Sequence, residues 1–589
     1  MPSATSPPTP ARLGRGALVL AAVAIAAAVA LGVALRLADP LSSPVIPAED
    51  PYTHMALVRE HLRSGHLDAL NDEGDLYPPG LHAVLAAAWT YTGLDLYDIV
   101  LYGPIVFGAI AVLGMGLLLW RTVGPVAGFV AALAVAVAPE IIFRTTMMSP
   151  TALDLALLPF FFYALLRTLA GRLGWVAVAA PMGAFLAFAH PWLLALLCAG
   201  GALFLVLAVA CPWPSSRAAA ISRKGLACCI AVMGTSLGIA LQMPSFGQTI
   251  GVPAGTHLPT LGLLSAVIGL APIAVLTSMR RRAWTAGSFK PLHFHVLVRA
   301  GLSLAIAIAL AVAWTIALQQ GMPDQVDLPR MLGWPLLLLS FAALVALPFI
   351  ASPVANLAAS LFAVTVPFVV FNPLHSEFLP HRTIVFLGLA MAGLAGVAAG
   401  ALVRAIASAL RSMTRSRSKA PSTRSTWGST RRFALAVAPA LLVCTLLGGS
   451  VYAGTPDSYP GGWYRLYNSC ELDALQDIAH QADADPSAIV VTGDWQAKLV
   501  LGALTTNASR VWYKADVFTS EEARDDLVAV MDHNGRPVIV VMDRYLTSET
   551  AGADTRFVNS PPWEPMGSWC AGMGIAQARI TAHTTNGGA

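Results

Sequence analysis

Gly16-Ala17-Leu18-Val19-Leu20-Ala21-Ala22-Val23-Ala24-Ile25 opens an apolar run that continues to Leu37, and Glu49-Asp50-Pro51-Tyr52-Thr53-His54 follows it after a short linker. A helix needs roughly 20 apolar residues to cross the hydrocarbon core. The run has that length, so it reads as a first membrane span. Acids and a histidine just beyond such a span are placed for polar chemistry at the bilayer face. A polar stretch then leads to Leu76-Tyr77-Pro78-Pro79-Gly80-Leu81-His82.

The remaining chain extends this reading. Its 589 residues are 56% hydrophobic and 12% charged, against about 25% charged residues in soluble proteins. A formal charge of +4 gives no reason to expect nucleic acid as a partner. Apolar runs predict about thirteen transmembrane helices, near 16–37, 100–120, 124–140, 151–169, 173–189, 191–211, 225–243, 258–278, 296–318, 331–351, 353–371, 383–404 and 432–453. Residues 1–15 read as a cytoplasmic tail before a retained signal anchor. Residues 16–453 read as the membrane domain, with a long outer loop at 38–99.

Basic residues favour the cytoplasmic side of a membrane. Arg12, Arg15, Arg121, Arg167, Arg172, Arg217, Arg223, Lys224, Arg280, Arg281 and Arg282 all fall on one side if there are thirteen spans, as does the Arg-rich loop 404–432. The N-terminus is then cytoplasmic, and residues 454–589 lie outside the cell membrane. That tail alternates short Val/Ile runs (488–492, 511–513, 537–542) with helix-like stretches (471–481, 520–532), which predicts a small parallel α/β domain. Beyond about 548 the sequence reads as loop. Cys470 and Cys570 lie in the tail, where an oxidising compartment would allow them to pair. The sequence leaves that pairing open.

The same topology gathers Glu49, Asp50, His54, Glu140, Arg144, His190, Glu377, His381 and Arg382 on the outer side, with Asp154 one turn inside a span. Polar groups at membrane depth are costly and are read first as functional. Asp50 could take a proton from an acceptor hydroxyl or hold a divalent cation. Standing before Pro51, it could equally be the N-cap of a helix through Met55–Leu62. Glu140 and Arg144 are spaced to pair along a helix. His190 before Pro191 suits a satisfied corner. Gly493-Asp494-Trp495 reads either as a functional loop after a strand or as a helix cap.

The pattern Asp50-Pro51-Tyr52-x-His54, followed by Tyr77-Pro78-Pro79-Gly80-Leu81-His82, resembles the first outer loop of C-type membrane glycosyltransferases. In general plan it is similar to the oligosaccharyltransferase catalytic subunit. The resemblance covers the layout and a few short segments. It implies transfer of a sugar from a polyprenyl-phosphate carrier to an acceptor glycan, lipid or protein on the outer face. It further implies catalytic roles for Asp50 and Asp154, and donor-phosphate contacts from Arg382 and Arg144. A divalent metal (Mg or Mn) would be held by Asp50, Asp154 and Glu377, and the substrate pocket would include Glu49, His54, Tyr77, His190 and His381. The paired acid that the family carries beside the Asp154 position is missing here, as is its Trp-Trp-Asp motif. Sequon-directed transfer is therefore not expected. All these groups would have to meet in one outer pocket. The competing reading is a transporter or flippase of lipid-linked or small polar substrates, since intramembrane charges also mark transport routes.

Overall fold

The computed structural model describes residues 15–65, 78–210, 222–243, 304–308, 328–350, 352–370, 379–417, 467–534, 537–542, 564–569 and 575–580. Among these, six helices are long and apolar enough to cross a membrane, and four shorter helices are also apolar. The protein is therefore an integral membrane protein. The spans expected at 258–278 and 432–453, and most of 296–318, lie outside the described residues. The chain divides into two compact units, one of residues 1–37, 105–145 and 151–462, the other of residues 38–104, 146–150 and 463–589.

The first unit is a helical bundle. It takes in most of α1 (Arg15–Ser42) and of α4 (Leu96–Thr122), then α5 (Pro125–Val137), α6 (Pro139–Arg144), α7 (Pro150–Leu169), α8 (Val176–Ala189), α9 (Pro191–Ala210) and α10 (Arg223–Gln242). It continues with α11 (Leu328–Leu332), α12 (Trp334–Ala346), α13 (Pro353–Val370) and α14 (Leu379–Arg417). Helix α14 is the central element, packing against α5, α12 and α13. Its buried stretch is almost wholly Leu, Ala, Val, Ile, Met and Gly, and includes Ile384, Val385, Met391, Leu394 and Ala395. Small residues let the backbones approach. A Cβ at Gly396 would lie 2.7 Å from the Ala127 carbonyl oxygen, and one at Gly128 would lie 2.6 Å from that of Gly116. The expected span at 173–189 opens with a 3-10 turn (Leu173–Trp175), and that at 331–351 closes with one (Leu347–Phe349).

The second unit joins the first loop to the tail. Helices α2 (Asp50–Ser64) and α3 (Gly80–Thr92) belong to it, together with α15 (Ser469–Ala484), β1 (Ile489–Thr492), α16 (Trp495–Leu504), β2 (Val511–Tyr513), α17 (Glu521–Asn534), β3 (Val538–Met542), β4 (Glu564–Trp569) and β5 (Ile575–Ile580). The five strands form one sheet in the order β2-β1-β3-β5-β4. The Val/Ile runs are the parallel core β2-β1-β3, and Ile489–Val491, buried with Thr492, packs at its centre.

Two expectations are corrected in this unit. The sheet is mixed, not parallel throughout, because β5 runs antiparallel to β3 and to β4. The segment read as loop after 548 supplies both of those strands. Strand β4 was illegible because Glu564-Pro565-Met566-Gly567 carries Pro and Gly. It is an edge strand with a register shift between Pro565 and Gly567, where such residues are tolerated. Within the outer loop expected at 38–99, residues 80–92 form α3. The tail's caps are more legible. Asn468 and Glu471 close a reciprocal capping box on α15. Cys470 is disulfide-bonded, while Cys570 lies outside the described residues.

Candidate functional site

In the helical bundle, a small apolar cleft of about 10 Å³ lies between α7, α9, α13 and α14. Leu158 and Phe162 of α7 line it, with Leu193 and Leu197 of α9, and Phe386 and Leu389 of α14. A second small cavity, of about 20 Å³, lies nearby and shares Phe162 and Leu197 with it. Residues three and four apart share a helix face. Asp154 is thus one turn before Leu158, His190 one turn before Leu193, and Arg382 one turn before Phe386. Three of the predicted polar residues stand at the N-terminal ends of the helices that wall the cleft.

Each has a distinct environment. Asp154 is fully buried, and neither carboxylate oxygen has a hydrogen-bond partner among the described residues. A carboxylate kept in that state costs several kcal/mol, on the order of the unpaired buried charges that folds avoid. His190 caps α9: its Nδ1 accepts from the Leu193 amide at 3.2 Å, and its carbonyl accepts from Leu194. It occupies the corner between α8 and α9. Burial, reinforced by the positive charge of Arg382, pushes its imidazole down to about 3, so it is neutral. The corner reading of His190 therefore describes its bonding, and the charge of Arg382 reaches it. Arg382 itself is half-buried.

Glu140 and Arg144 do pair along α6, at 2.9 Å, with Glu140 fully buried. The Arg144 guanidinium also lies over the Phe143 ring. Immediately after this pair, the Thr145 hydroxyl accepts from Arg36 Nε at 2.6 Å. Arg36 went unnoticed in the sequence. It lies within the first span, is completely buried, and donates further to the carbonyls of Gly32 (2.8 Å), Ala136 (3.3 Å) and Val135 (3.3 Å). Gly108 makes room for the guanidinium, because a Cβ there would collide with Arg36 Nε. The available signal was a lone arginine inside an apolar run. Intramembrane arginines have to be paired or caged, and this one is caged by carbonyls.

In the second unit, α2 begins at Asp50, and its N-cap is Glu49. This corrects the reading of Asp50 as the cap. Glu49 has helical backbone angles, and no side chain caps the helix. Pro51 lacks an amide proton, so one of the donors a cap would satisfy is absent. Glu49 and Asp50 are both half-buried, and Asp50 has no hydrogen bond or ion pair among the described residues. The preceding Ala48 holds φ at 66°, the one non-glycine residue with positive φ among those described. A left-handed alanine costs about 1–2 kcal/mol. Such strain is characteristic of functional turns. One turn along α2, His54 meets His82 of α3 in a buried contact of 3.0 Å between Nδ1 and Nε2.

Tail residues support the same loop. Helix α2 packs against α16, and Arg59 Nη1 donates to the Thr505 carbonyl at 2.6 Å, at the C-terminus of α16. Asp483 receives Thr506 and Arg510 beside it. Asp494 caps α16 by accepting from the Ala497 amide at 2.7 Å and is fully buried, which makes the cap reading of Gly493-Asp494-Trp495 the observed one. The Asn507 side chain is engaged by the Ser509 amide and hydroxyl.

Tyr77 and Glu377 lie outside the described residues, as does the side chain of His381. No three His, Cys, Asp or Glu side chains gather to hold a metal ion among the described residues. The expected metal set of Asp50, Asp154 and Glu377 includes Glu377 and so is not fully described.

No protein-family model matches the chain, and no curated protein matches it. Among solved structures, one match is ArnT from Cupriavidus metallidurans bound to undecaprenyl phosphate. It is 14% identical, covers 98% of this chain and 100% of its own, and superposes with a TM-score of 0.46. That score lies below the level at which a common fold follows.

Proposed function

We propose that the protein is a membrane glycosyltransferase of the C type, which transfers a sugar from a polyprenyl-phosphate donor to an acceptor at the outer face. The observation that carries this reading is the placing of Asp154, His190 and Arg382 at the N-terminal ends of three helices that meet around a small apolar cleft. Polar groups at the ends of apolar helices suit the anionic head of an amphiphile whose hydrocarbon tail stays in the bilayer beside the bundle. Arg382 would take the phosphate, since a planar guanidinium offers two parallel donors to phosphate oxygens. The disulfide-bonded Cys470 supports an extracytoplasmic tail.

Asp50 would act as general base towards the acceptor hydroxyl. Its carboxylate is half-buried and, among the described residues, committed to neither a cap nor an ion pair. Inversion at the anomeric carbon would form the bond to the acceptor oxygen as the bond to the carrier phosphate breaks. The reaction would need a base for the acceptor's proton, the role proposed for Asp50, and a cation for the leaving phosphate's charge, the role proposed for Arg382. Asp154 would orient the sugar or its phosphate from the buried end of α7.

The test is transfer from a radiolabelled polyprenyl-phosphate sugar by Asp50→Asn in the intact, membrane-inserted chain. General-base removal should lower the rate by about 10²–10⁴-fold. Undiminished transfer would remove Asp50 from the mechanism. A transport reading draws on the fully buried Arg36 and Asp154. Movement of a lipid-linked sugar between leaflets by Asp50→Asn, without covalent product from the parent chain, would favour it.

A further inference from the structure

Helix α5 stops at Val137 because its next turn cannot close. In an α-helix the carbonyl of one residue accepts from the amide four residues on. The last such bond of α5 runs from the Ala138 amide to the Ala134 carbonyl, at 3.0 Å. The Val135 carbonyl would need the amide of residue 139, which is proline and has none. Ala138 is extended, with φ −68° and ψ 120°, so the chain turns there. The ladder restarts with the Ile142 amide on the Ala138 carbonyl, at 2.9 Å. Val135 and Ala136 are among the last residues of α5, whose carbonyls need partners from outside the helix. Both are completely buried, where an unpaired carbonyl is costly.

Arg36 supplies the missing donors. Its Nη2 donates to the Val135 carbonyl and its Nη1 to that of Ala136, each at 3.3 Å. Its Nε donates at 2.6 Å to the Thr145 hydroxyl, which in turn donates to the Ile141 carbonyl. Thr145 is the C-cap of α6. One guanidinium therefore fastens both ends of α6. With six residues, that helix is too short to hold its shape alone. It carries the buried Glu140 and its partner Arg144, whose side chain is 15% exposed. Inside a membrane, carbonyls freed by a proline are re-satisfied by neighbouring groups, and here the group comes from the first span. All of these residues belong to the helical bundle.

We propose that Arg36 is a positioning residue: its guanidinium stands in for the amide absent at Pro139, and it thereby holds α6 and the Arg144 guanidinium in place for the anionic head of the lipid donor. The role of Arg144 towards that head rests on the polyprenyl-phosphate reading above, while the part played by Arg36 at the helix break does not.

Two measurements on the full chain in detergent test it: hydrogen exchange, which reads the helix break, and binding of polyprenyl phosphate, which reads the placing of Arg144. Arg36→Met removes the donors. It should speed exchange at the Ile142 and Thr145 amides several-fold and weaken binding several-fold. Pro139→Ala restores an amide for the Val135 carbonyl, so the double variant Arg36→Met/Pro139→Ala should recover much of both. A side chain that only filled space would not be rescued by a new amide on another helix. Unchanged exchange in Arg36→Met, or no recovery in the double variant, would overturn the proposal, as would faster exchange with binding undiminished. If the parent chain binds no polyprenyl phosphate, the donor reading fails, and the exchange of these variants still decides whether Arg36 replaces the amide. Should Arg36→Met fail to fold, Arg36→Lys takes its place, because an ammonium lacks the planar fork; rescue by Pro139→Ala then has the same two outcomes.

Discussion

His54 Nδ1 and His82 Nε2 face each other across 3.0 Å between α2 and α3, both rings buried. One proton between the two nitrogens makes a hydrogen bond, and two would repel. Burial, then the neighbouring His54 and His61, hold the His82 imidazole well below its usual 6.5, with the Pro78 carbonyl acting the other way. The unfolded chain therefore takes up a proton near pH 6.5 that the folded loop refuses. The contribution to stability is present above 6.5 and is lost as pH falls below it, by up to about 1.4 kcal/mol per pH unit. Hydrogen exchange of α2 and α3 between about pH 8 and about pH 5 reads this directly. His82→Phe should flatten the dependence, and an unchanged slope in that variant would assign it elsewhere.

Arg59 at the C-terminus of α16 combines a charge-assisted hydrogen bond with a favourable helix dipole. Arg59→Ala should cost about 1.5–3 kcal/mol locally and raise amide exchange in Asp50–Ser64 while the spans stay protected. Arg59→Lys should recover part of the loss. Unaltered exchange in α2 after Arg59→Ala would mean that packing alone holds the helix.

The Arg36 cage predicts an effect at a residue with no chemistry of its own. Gly108→Ala places a methyl group against the guanidinium and should destabilise the bundle by about 1–3 kcal/mol. Arg36→Lys loses the fork that serves Thr145 and three carbonyls at once. Thermal unfolding in detergent should show both variants weakened. A Gly108→Ala protein as stable as its parent would show that the guanidinium moves aside freely.

Glu140 and Arg144 should respond unequally to substitution. Removing Arg144 leaves a fully buried carboxylate without its charge partner, at about 3–5 kcal/mol. Glu140→Gln leaves a neutral amide in the core and a partly exposed arginine, and should be milder. Comparing the melting points of Arg144→Ala and Glu140→Gln checks the order, and the reverse ranking would contradict it.

The strained turn before α2 gives a fifth expectation. Ala48→Gly relieves a left-handed alanine and should leave stability unchanged or raise it by about 1 kcal/mol. Transfer activity should fall if the strain holds Glu49 and Asp50 in place. A variant both more stable and fully active would detach the strain from function.

The membrane character, most span positions and the parallel core of the tail were legible because long apolar runs and Val/Ile runs are strong local signals. Asp154, His190 and Arg382 were legible as polar residues in apolar surroundings, and their common placement at helix N-termini follows from where those runs begin. Arg36 was hidden because one arginine inside a hydrophobic run does not disturb the pattern, and its partners come from elements about 100 residues away. Helix α3 was hidden because it has no polar face to give a helical period. Strand β4 was hidden behind Pro565 and Gly567. The Arg59 contact could not be read at all, since no local spacing links a first-loop helix to the end of α16.

That contact fixes an order of events during synthesis. Thr505 is made 446 residues after Arg59, which at ribosomal speed is roughly 20–90 s. Through that interval the helix bearing Asp50 waits with its docking side uncovered, so a chain released before α16 is complete carries an unfinished first loop however well its spans have inserted.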